Sequence, residues 1–298
     1  MIWAATGVGK TMLTLTIALM IAGGGSITGW SSPKPRKVLI VDGEMRMSDL
    51  VERLNSLRHT VDGIDFEAAM DNIVIMARQD QKPEVQFYDL TQPETHRILS
   101  KYIRENGFEV VILDNITTLT DSLTEENEVG AIKPVISFLM TLKQADVASI
   151  VVHHASKGGN NYRGSTGLVA PLEVVIGLTR PEGAAQGSAA FKLEFGKFRH
   201  RAEGLGPQLF ELNQTDAFPG WTIKEDQDSL IARLVAAIRT CEFTTRAAAG
   251  KSIGITDKTK VTRLLQQAVG KGLITLPQIE GCLKGMSSGK FSDDDLEL

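Results

Sequence analysis

The stretch Ala4-Ala5-Thr6-Gly7-Val8-Gly9-Lys10-Thr11 constrains this chain more than any other. Two glycines let the backbone curl so that successive N–H groups face one point. The apolar run Met12 to Ala22 then reads as a helix whose amino terminus adds partial positive charge to that point. A turn of this kind between a strand and a helix is a phosphate cradle. Lys10 is placed to reach the β- and γ-phosphates of a nucleoside triphosphate, and Thr11 to offer its hydroxyl to Mg²⁺. The expected nucleotide-binding residues are therefore Thr6, Gly7, Val8, Gly9, Lys10, Thr11 and Met12, with ATP and Mg²⁺ as their ligands. Ala4 stands where the pattern has its first glycine. Three residues precede it, so the strand feeding the loop is short, and natural sequence upstream of the given start is expected.

The apolar run after the loop has the look of a secretory signal core, but it is short for a membrane span, carries two threonines and follows a phosphate loop. A helix packed beneath a sheet is equally apolar, so no membrane segment is expected. With 298 residues, 42% hydrophobic and 23% charged, the chain can bury a full core, which argues against overall disorder. A net charge of −4 argues against coating nucleic acid or anionic membrane with the whole surface, so any such contact is local. Cys241 and Cys282 lack the spacing of a metal site or a disulfide framework. They are expected as buried, inert thiols in a reducing, cytoplasmic compartment.

Short Val/Ile-rich runs alternate with helical patterns. Val38–Val41, Ile73–Met76, Val110–Leu113, Ser149–Val152, Val174–Leu178 and Phe191–Phe195 read as strands. The first four are apolar on both faces, as strands of a helix-covered parallel sheet must be. Helices fit Thr11–Ala22, Ser48–Leu57, Pro93–Asn106 and Val129–Ala145. The alternation predicts an α/β domain with a mostly parallel central sheet over residues 1–220, its later strands turning into antiparallel hairpins through loops such as 180–188.

After Gly220-Trp221 the pattern becomes helical, at Gln227–Arg239 and Lys258–Lys271, and predicts a small second domain over 221–286. Its order, ending in Gly272-Leu273-Ile274-Thr275-Leu276, resembles a winged helix. Residues 251–271 carry Lys251, Lys258, Lys260, Arg263 and Lys271 against Asp257 alone. Such a helix can lie on DNA phosphates, and reads equally as a solvated face packed through Val261, Leu264, Leu265 and Val269. Residues 287–298 are expected as a disordered acidic tail.

Two strand ends carry carboxylates suited to the phosphate loop. Asp114, closing Val110–Leu113, can support Mg²⁺, and Glu44, in Asp42-Gly43-Glu44-Met45 after Val38–Val41, can polarise the water that attacks a γ-phosphate. On these residues the sequence resembles the RecA-like motor domain of the DnaB-type hexameric helicases and plasmid RepA helicases, an AAA_25-like group of P-loop NTPases. The resemblance implies that Glu44 is the catalytic glutamate, with Arg53 as the arginine on the following helix.

Two later stretches extend the resemblance. Ser149–Lys157 is similar to the strand and turn that senses the γ-phosphate, with His154 in the sensor position and His153 beside it. Adjacent residues of a strand point to opposite faces, so the two histidines are not expected to share a metal. Arg163–Gly167 is similar to a loop near the family's central channel, and suits an ordinary surface loop as well. Lys197 and Arg199 fall on one side of extended chain, so both cations can reach one phosphate. The resemblance implies that they enter a neighbouring subunit's ATP site. It thus implies an ATP-hydrolysing ring, a hexamer on single-stranded DNA, acting in DNA replication. The expected catalytic residues are Glu44, Lys10, His154, Lys197 and Arg199; the metal ligands are Thr11 and Asp114. A RecA- or KaiC-like regulatory ATPase and a nucleotide-switched DNA-binding module are the alternative readings.

Overall fold

In the computed structural model the described residues are 1–284, except 28, 83, 122–128, 157–160, 165, 182, 185–188, 200–206 and 214–218. They form two compact units, one of Met1–His200 with Leu209–Lys224 and one of Arg201–Gln208 with Glu225–Leu298. The expected tail at 287–298 lies outside the described residues.

The strands of the first unit are β1 (Ile2–Ala4), β2 (Gly25–Ile27), β3 (Trp30–Ser32), β4 (Val38–Asp42), β5 (Ile73–Ala77), β6 (Val110–Asp114), β7 (Ala148–His154), β8 (Val174–Thr179) and β9 (Ala190–Phe198), with β10 (Gln208–Asn213) and β11 (Gly220–Glu225) following. Its helices are α1 (Lys10–Gly23), α2 (Met47–Ser56), α3 (Phe66–Asn72), α4 (Pro93–Asn106) and α5 (Val129–Gln144). Nine strands make one sheet in the order β11-β10-β9-β8-β1-β7-β6-β4-β5, while β2 and β3 pair separately. β5, β4, β6, β7, β1 and β8 run parallel to their neighbours, and β9 turns antiparallel to β8, as the later loops predicted.

Alternation sorts the side chains into two cores. Ile2, Ala4, Val38, Ile40, Val110, Ile112 and Val152 pack with α1 and with Leu50 and Leu54 of α2. Leu39, Val41, Val111, Leu113 and Val151 face the other way, against Leu99 and Ile103 of α4 and Val135, Phe138 and Leu142 of α5. With both faces covered, the central strands have no solvent side, which is why their sequences are continuously apolar. α1 is buried along most of its length, as its composition predicted, and Thr16 gives its hydroxyl oxygen to the Trp221 indole N–H at 2.9 Å. Trp221 packs edge-on against Phe191 and Phe210.

The second unit carries α6 (Gln227–Arg239), α7 (Arg246–Ser252), α8 (Lys258–Gly270) and α9 (Leu276–Lys284). Asp226, Thr245 and Asp257 cap α6, α7 and α8 through their side-chain oxygens. Gly272–Leu276, the last segment of the winged-helix-like order, forms no strand. Thr275 and Gln278 exchange side-chain and backbone hydrogen bonds in a capping box at 2.9 and 3.4 Å, which starts α9 at Leu276 instead. The basic surplus of residues 251–271 is also smaller than the sequence suggests, because Lys260 pairs with Glu225 and Lys271 with Asp228. The thiols differ from expectation as well: Cys241 is exposed and Cys282 half-buried. Among the described residues no helix is long and apolar enough to cross a membrane.

Candidate nucleotide site

β1 enters the sheet between β7 and β8, and the loop after it opens at the carboxyl edge of the parallel strands. Gly7 and Gly9 adopt φ values of 77° and 117°, which L-residues with side chains rarely accept. Gly9 is the N-cap of α1, with no side-chain hydrogen bond and no acidic residue in the first turn. The helix therefore keeps its first N–H groups for a ligand. Lys10 folds back on the loop, its Nζ donating to the Ala4 and Ala5 carbonyls at 3.1 and 3.2 Å. Burial lowers the Lys10 pKa, against the opposing pull of the Asp114 and Glu44 carboxylates.

Strand register assembles the acidic half. Asp42 and Asp114 are direct neighbours across β4 and β6, on the face that carries α1. The Asp42 carboxylate accepts the N–H groups of Glu44 at 2.8 Å and Met45 at 2.6 Å, which turns the chain and fixes the start of Glu44. Gly43 donates its N–H to the Asp114 carbonyl at 2.7 Å, so the two strand ends are stitched together. Burial pushes the Asp114 carboxyl up to about 7, with Asp42 and Glu44 adding to the rise and Lys10 and Arg53 opposing it. Asp42 is raised too, chiefly by burial.

His154 follows Val152 on the same face and reaches Glu44 Oε1 at 3.2 Å through Nε2, which also lies 3.2 Å from Asn115 Nδ2. Asn115 is held by Thr118, whose backbone N–H it accepts at 3.2 Å. His153 turns to the opposite face and is buried, opposite Trp3 in the register. The loop after β7 returns through an Ala155–Tyr162 bridge, and Arg163 donates its N–H to the His154 carbonyl at 2.9 Å. In the expected channel loop, Ser165 lies outside the described residues.

Thr6, Gly7, Gly9, Lys10, Thr11, Met12, Glu44, Arg53, Asp114 and His154 thus meet around one open cavity of about 640 Å³, while Val8 is buried beside it. The donors suit a nucleoside triphosphate with its divalent ion. Converging carboxylates, one of them pushed up by burial and by its acidic neighbours, are what a cation relieves, and the Thr11 hydroxyl and Asp114 are the oxygen ligands at hand.

Lys197 and Arg199 stand elsewhere. β9 pairs Lys197 with Val175, at the end of β8 opposite Leu178, which sits beside Ala4 and the loop. The separation is about 10 Å along the strand direction. Both cations aim at one point: Lys197 Nζ and Arg199 Nη2 donate to the Ala170 carbonyl at 3.3 and 2.7 Å. Arg199 also pairs with Glu173 at 3.5 Å. They do not line the cavity of their own chain.

Sequence reading missed Arg180. It follows β8, and its Nη2 donates to the Gly7 carbonyl at 2.6 Å, bracing the phosphate loop from the neighbouring strand. Its position at a strand end was visible, but its reach depends on β8 lying beside β1. Asp49, Glu52 and Ser56 of α2 also line the cavity.

The profile of an AAA domain family, AAA_25, matches residues 1–160. No curated protein sequence matches the chain significantly. Among solved structures, a KaiC-like protein from the hyperthermophilic archaeon Pyrococcus horikoshii is similar at 17% identity, covering 75% of this chain and 88% of that one, with a TM-score of 0.54.

Proposed function

Since the chain belongs to the AAA_25 family of AAA domains and is a RecA-like P-loop ATPase domain, we propose that it works as a ring-forming, ATP-driven motor on single-stranded DNA, of the RepA/DnaB helicase type. The observation that carries the reading is the separation of two half-sites. The phosphate loop, Glu44 and Asp114 gather at one edge of the sheet, and Lys197 and Arg199 are paired at the other. Cations so placed serve a neighbour's nucleotide rather than their own, so a homo-oligomer, in this reading a hexamer, completes each site.

In this mechanism the loop N–H groups and Lys10 bind the phosphates, and Thr11 and Asp114 hold the metal. When bound, Mg²⁺ supplies charge neutralisation between the phosphate oxygens. Glu44 orients and deprotonates the attacking water. His154 touches Glu44 and carries Arg163 on its own carbonyl, which supports a link from hydrolysis to the loop at 161–167. Lys197 and Arg199 of a neighbouring copy offset charge on the transferred phosphoryl group.

A KaiC-like regulatory ATPase that hydrolyses ATP without moving along DNA is a second reading, supported by the similarity in fold to the archaeal KaiC-like protein. The test is ATP turnover with and without single-stranded DNA for wild type, Glu44→Gln, Arg199→Ala and an equimolar mixture of the two variants. DNA-stimulated turnover that is lost in each variant and partly regained on mixing is the expected result. Turnover indifferent to DNA favours the regulatory ATPase, and turnover of Arg199→Ala equal to wild type removes the shared site.

A further inference from the structure

In the second unit α7 and α8 form a helix-turn-helix. At Gly250 of α7 an added Cβ would lie 2.3 Å from Val261 Cγ2 of α8, so the two helices approach closer there than a side chain permits. Gly254, at φ 87°, turns the chain between them, and the Ile255 N–H donates to the Gly250 carbonyl at 2.9 Å. Ile255 then joins Val261, Leu264 and Leu265 of α8 in a core shared with Leu234 and Ile238 of α6. Asp257 starts α8 by accepting the N–H groups of Thr259 at 2.8 Å and Lys260 at 3.3 Å.

Burial of one side of α8 leaves the other in solvent, where Lys258, Thr259, Thr262, Arg263 and Gln266 are all exposed. On a helix these five positions fall within an arc of about 140° and along roughly 12 Å of axis. α8 contains no acidic residue, and Asp257, just before it, is engaged as the cap. Lys251 is exposed at the end of α7. Among the described residues no ion pair or hydrogen bond engages the side chains of Lys251, Lys258 or Arg263, whereas Lys260 and Lys271 are paired with acids.

We propose that this face is a binding site for duplex DNA, with α8 seated in the major groove, Thr259, Thr262, Arg263 and Gln266 meeting base edges, and Lys251 and Lys258 meeting phosphates. Unpaired cations on a face without carboxylates match a phosphate backbone in charge. The major groove, about 12 Å wide, admits one helix, and Arg and Gln side chains pair with guanine and adenine edges there. A single strand is held by stacking its bases on aromatic rings. Residues 225–284 contain one aromatic side chain, Phe243, and it packs against the core. Duplex RNA has a major groove too deep and narrow for side chains to read.

The inference is independent of the motor reading, because its test uses neither ATP nor a metal. Full-length protein in EDTA is titrated onto a short fluorescent DNA duplex of random sequence, the corresponding single strand and an RNA duplex. Wild type is expected to prefer the DNA duplex by about 10-fold or more. Lys251→Ala/Lys258→Ala should weaken that binding by about 10-fold and reduce the slope of log affinity against log salt by about 2. Duplexes enriched from the random pool by wild type should lose about 10-fold with Arg263→Ala. Lys271→Ala, at the far end of α8, should bind as wild type does. The substituted side chains are exposed, so all variants are expected to unfold at the wild-type midpoint. Absence of duplex binding by wild type, affinity unchanged by the Lys251, Lys258 and Arg263 substitutions, or equal binding of single strand or RNA duplex each overturn the proposal.

Discussion

Glu44 Oε1 and His154 Nε2 lie 3.2 Å apart although 110 residues separate them in the chain. The same nitrogen lies 3.2 Å from Asn115 Nδ2. One nitrogen cannot donate to Glu44 and accept from Asn115 at once, so the histidine has two exclusive arrangements. The contact engages one carboxylate oxygen, Oε1, of a side chain that is about half exposed. Glu44→Gln keeps the shape and loses the base, so turnover is expected to fall by about 100-fold or more while ATP affinity stays within about 3-fold. If the pair acts as a unit, Glu44→Gln/His154→Ala is no slower than Glu44→Gln alone. Single-turnover hydrolysis and nucleotide titration of Glu44→Gln, His154→Ala and the double variant check this, and additive losses would separate the two residues.

Arg180 braces the phosphate loop through the Gly7 carbonyl at 2.6 Å. Truncating it leaves the loop's own donors intact but frees the loop to move. Because the contact is exposed, its loss is worth on the order of 1 kcal/mol. The expected effect of Arg180→Ala is a roughly 5-fold higher KM for ATP with kcat within about 2-fold of wild type, read from steady-state kinetics. A fall in kcat at constant KM would show instead that the guanidinium acts on the transition state.

How far the sequence announces this structure depends on burial. β4, β6 and β7 are covered on both faces, so Val38–Val41, Val110–Leu113 and Ser149–Val152 stand out as continuous apolar runs. β11 has no fully buried residue along Gly220–Glu225 and gives no such signal, and β2 and β3, with three residues each, are too short to show a period. α3 spans seven residues, two turns, and its one clear mark is the cap of Asp65 on the Ala68 N–H. In the site, Asp114 and His154 close apolar strands and Glu44 follows one by two residues, which made their positions legible. Asn115 and Arg180 were not, since their partners follow from strand order: β6 beside β7, and β8 beside β1. The capping box of Thr275 and Gln278 was written in the sequence and was outweighed by the pattern of a wing.

Gly43 links the two strand ends that carry the acidic residues. A Cβ at this position would lie 2.2 Å from Thr118 Oγ1 and 2.7 Å from Thr118 Cβ, too close for either atom. Thr118 cannot step aside freely, because its N–H is held by Asn115 and its carbonyl by Arg78 Nη1 at 2.9 Å. Gly43→Ala is therefore expected to destabilise the first unit by about 1–3 kcal/mol. The same displacement moves Glu44, so turnover falls further than the unfolded fraction explains. Chemical denaturation beside activity at a temperature where both proteins are folded separates the two effects, and an alanine variant with native stability would show that the turn gives way cheaply.

His153 is 3% exposed, and its Nδ1 has no hydrogen-bond partner. Burial lowers its pKa from 6.5 to about 4, and the neighbouring His154 adds to the fall while the Arg163 backbone opposes it. Between those values the unfolded chain holds a proton that the folded chain refuses, so stability rises with pH across this window and is lost as pH falls from 6.5 toward 4. The full shift corresponds to roughly 3 kcal/mol. Replacing His153 by Gln removes the titration and keeps a polar side chain of similar reach. Between pH 7 and pH 4.5 the unfolding midpoint of wild type should therefore drop more steeply than that of His153→Gln, with the two curves closest at the neutral end. Parallel curves across this range would mean that the imidazole is protonated in the folded protein and that a hydrogen-bond partner meets it on the far face of the sheet.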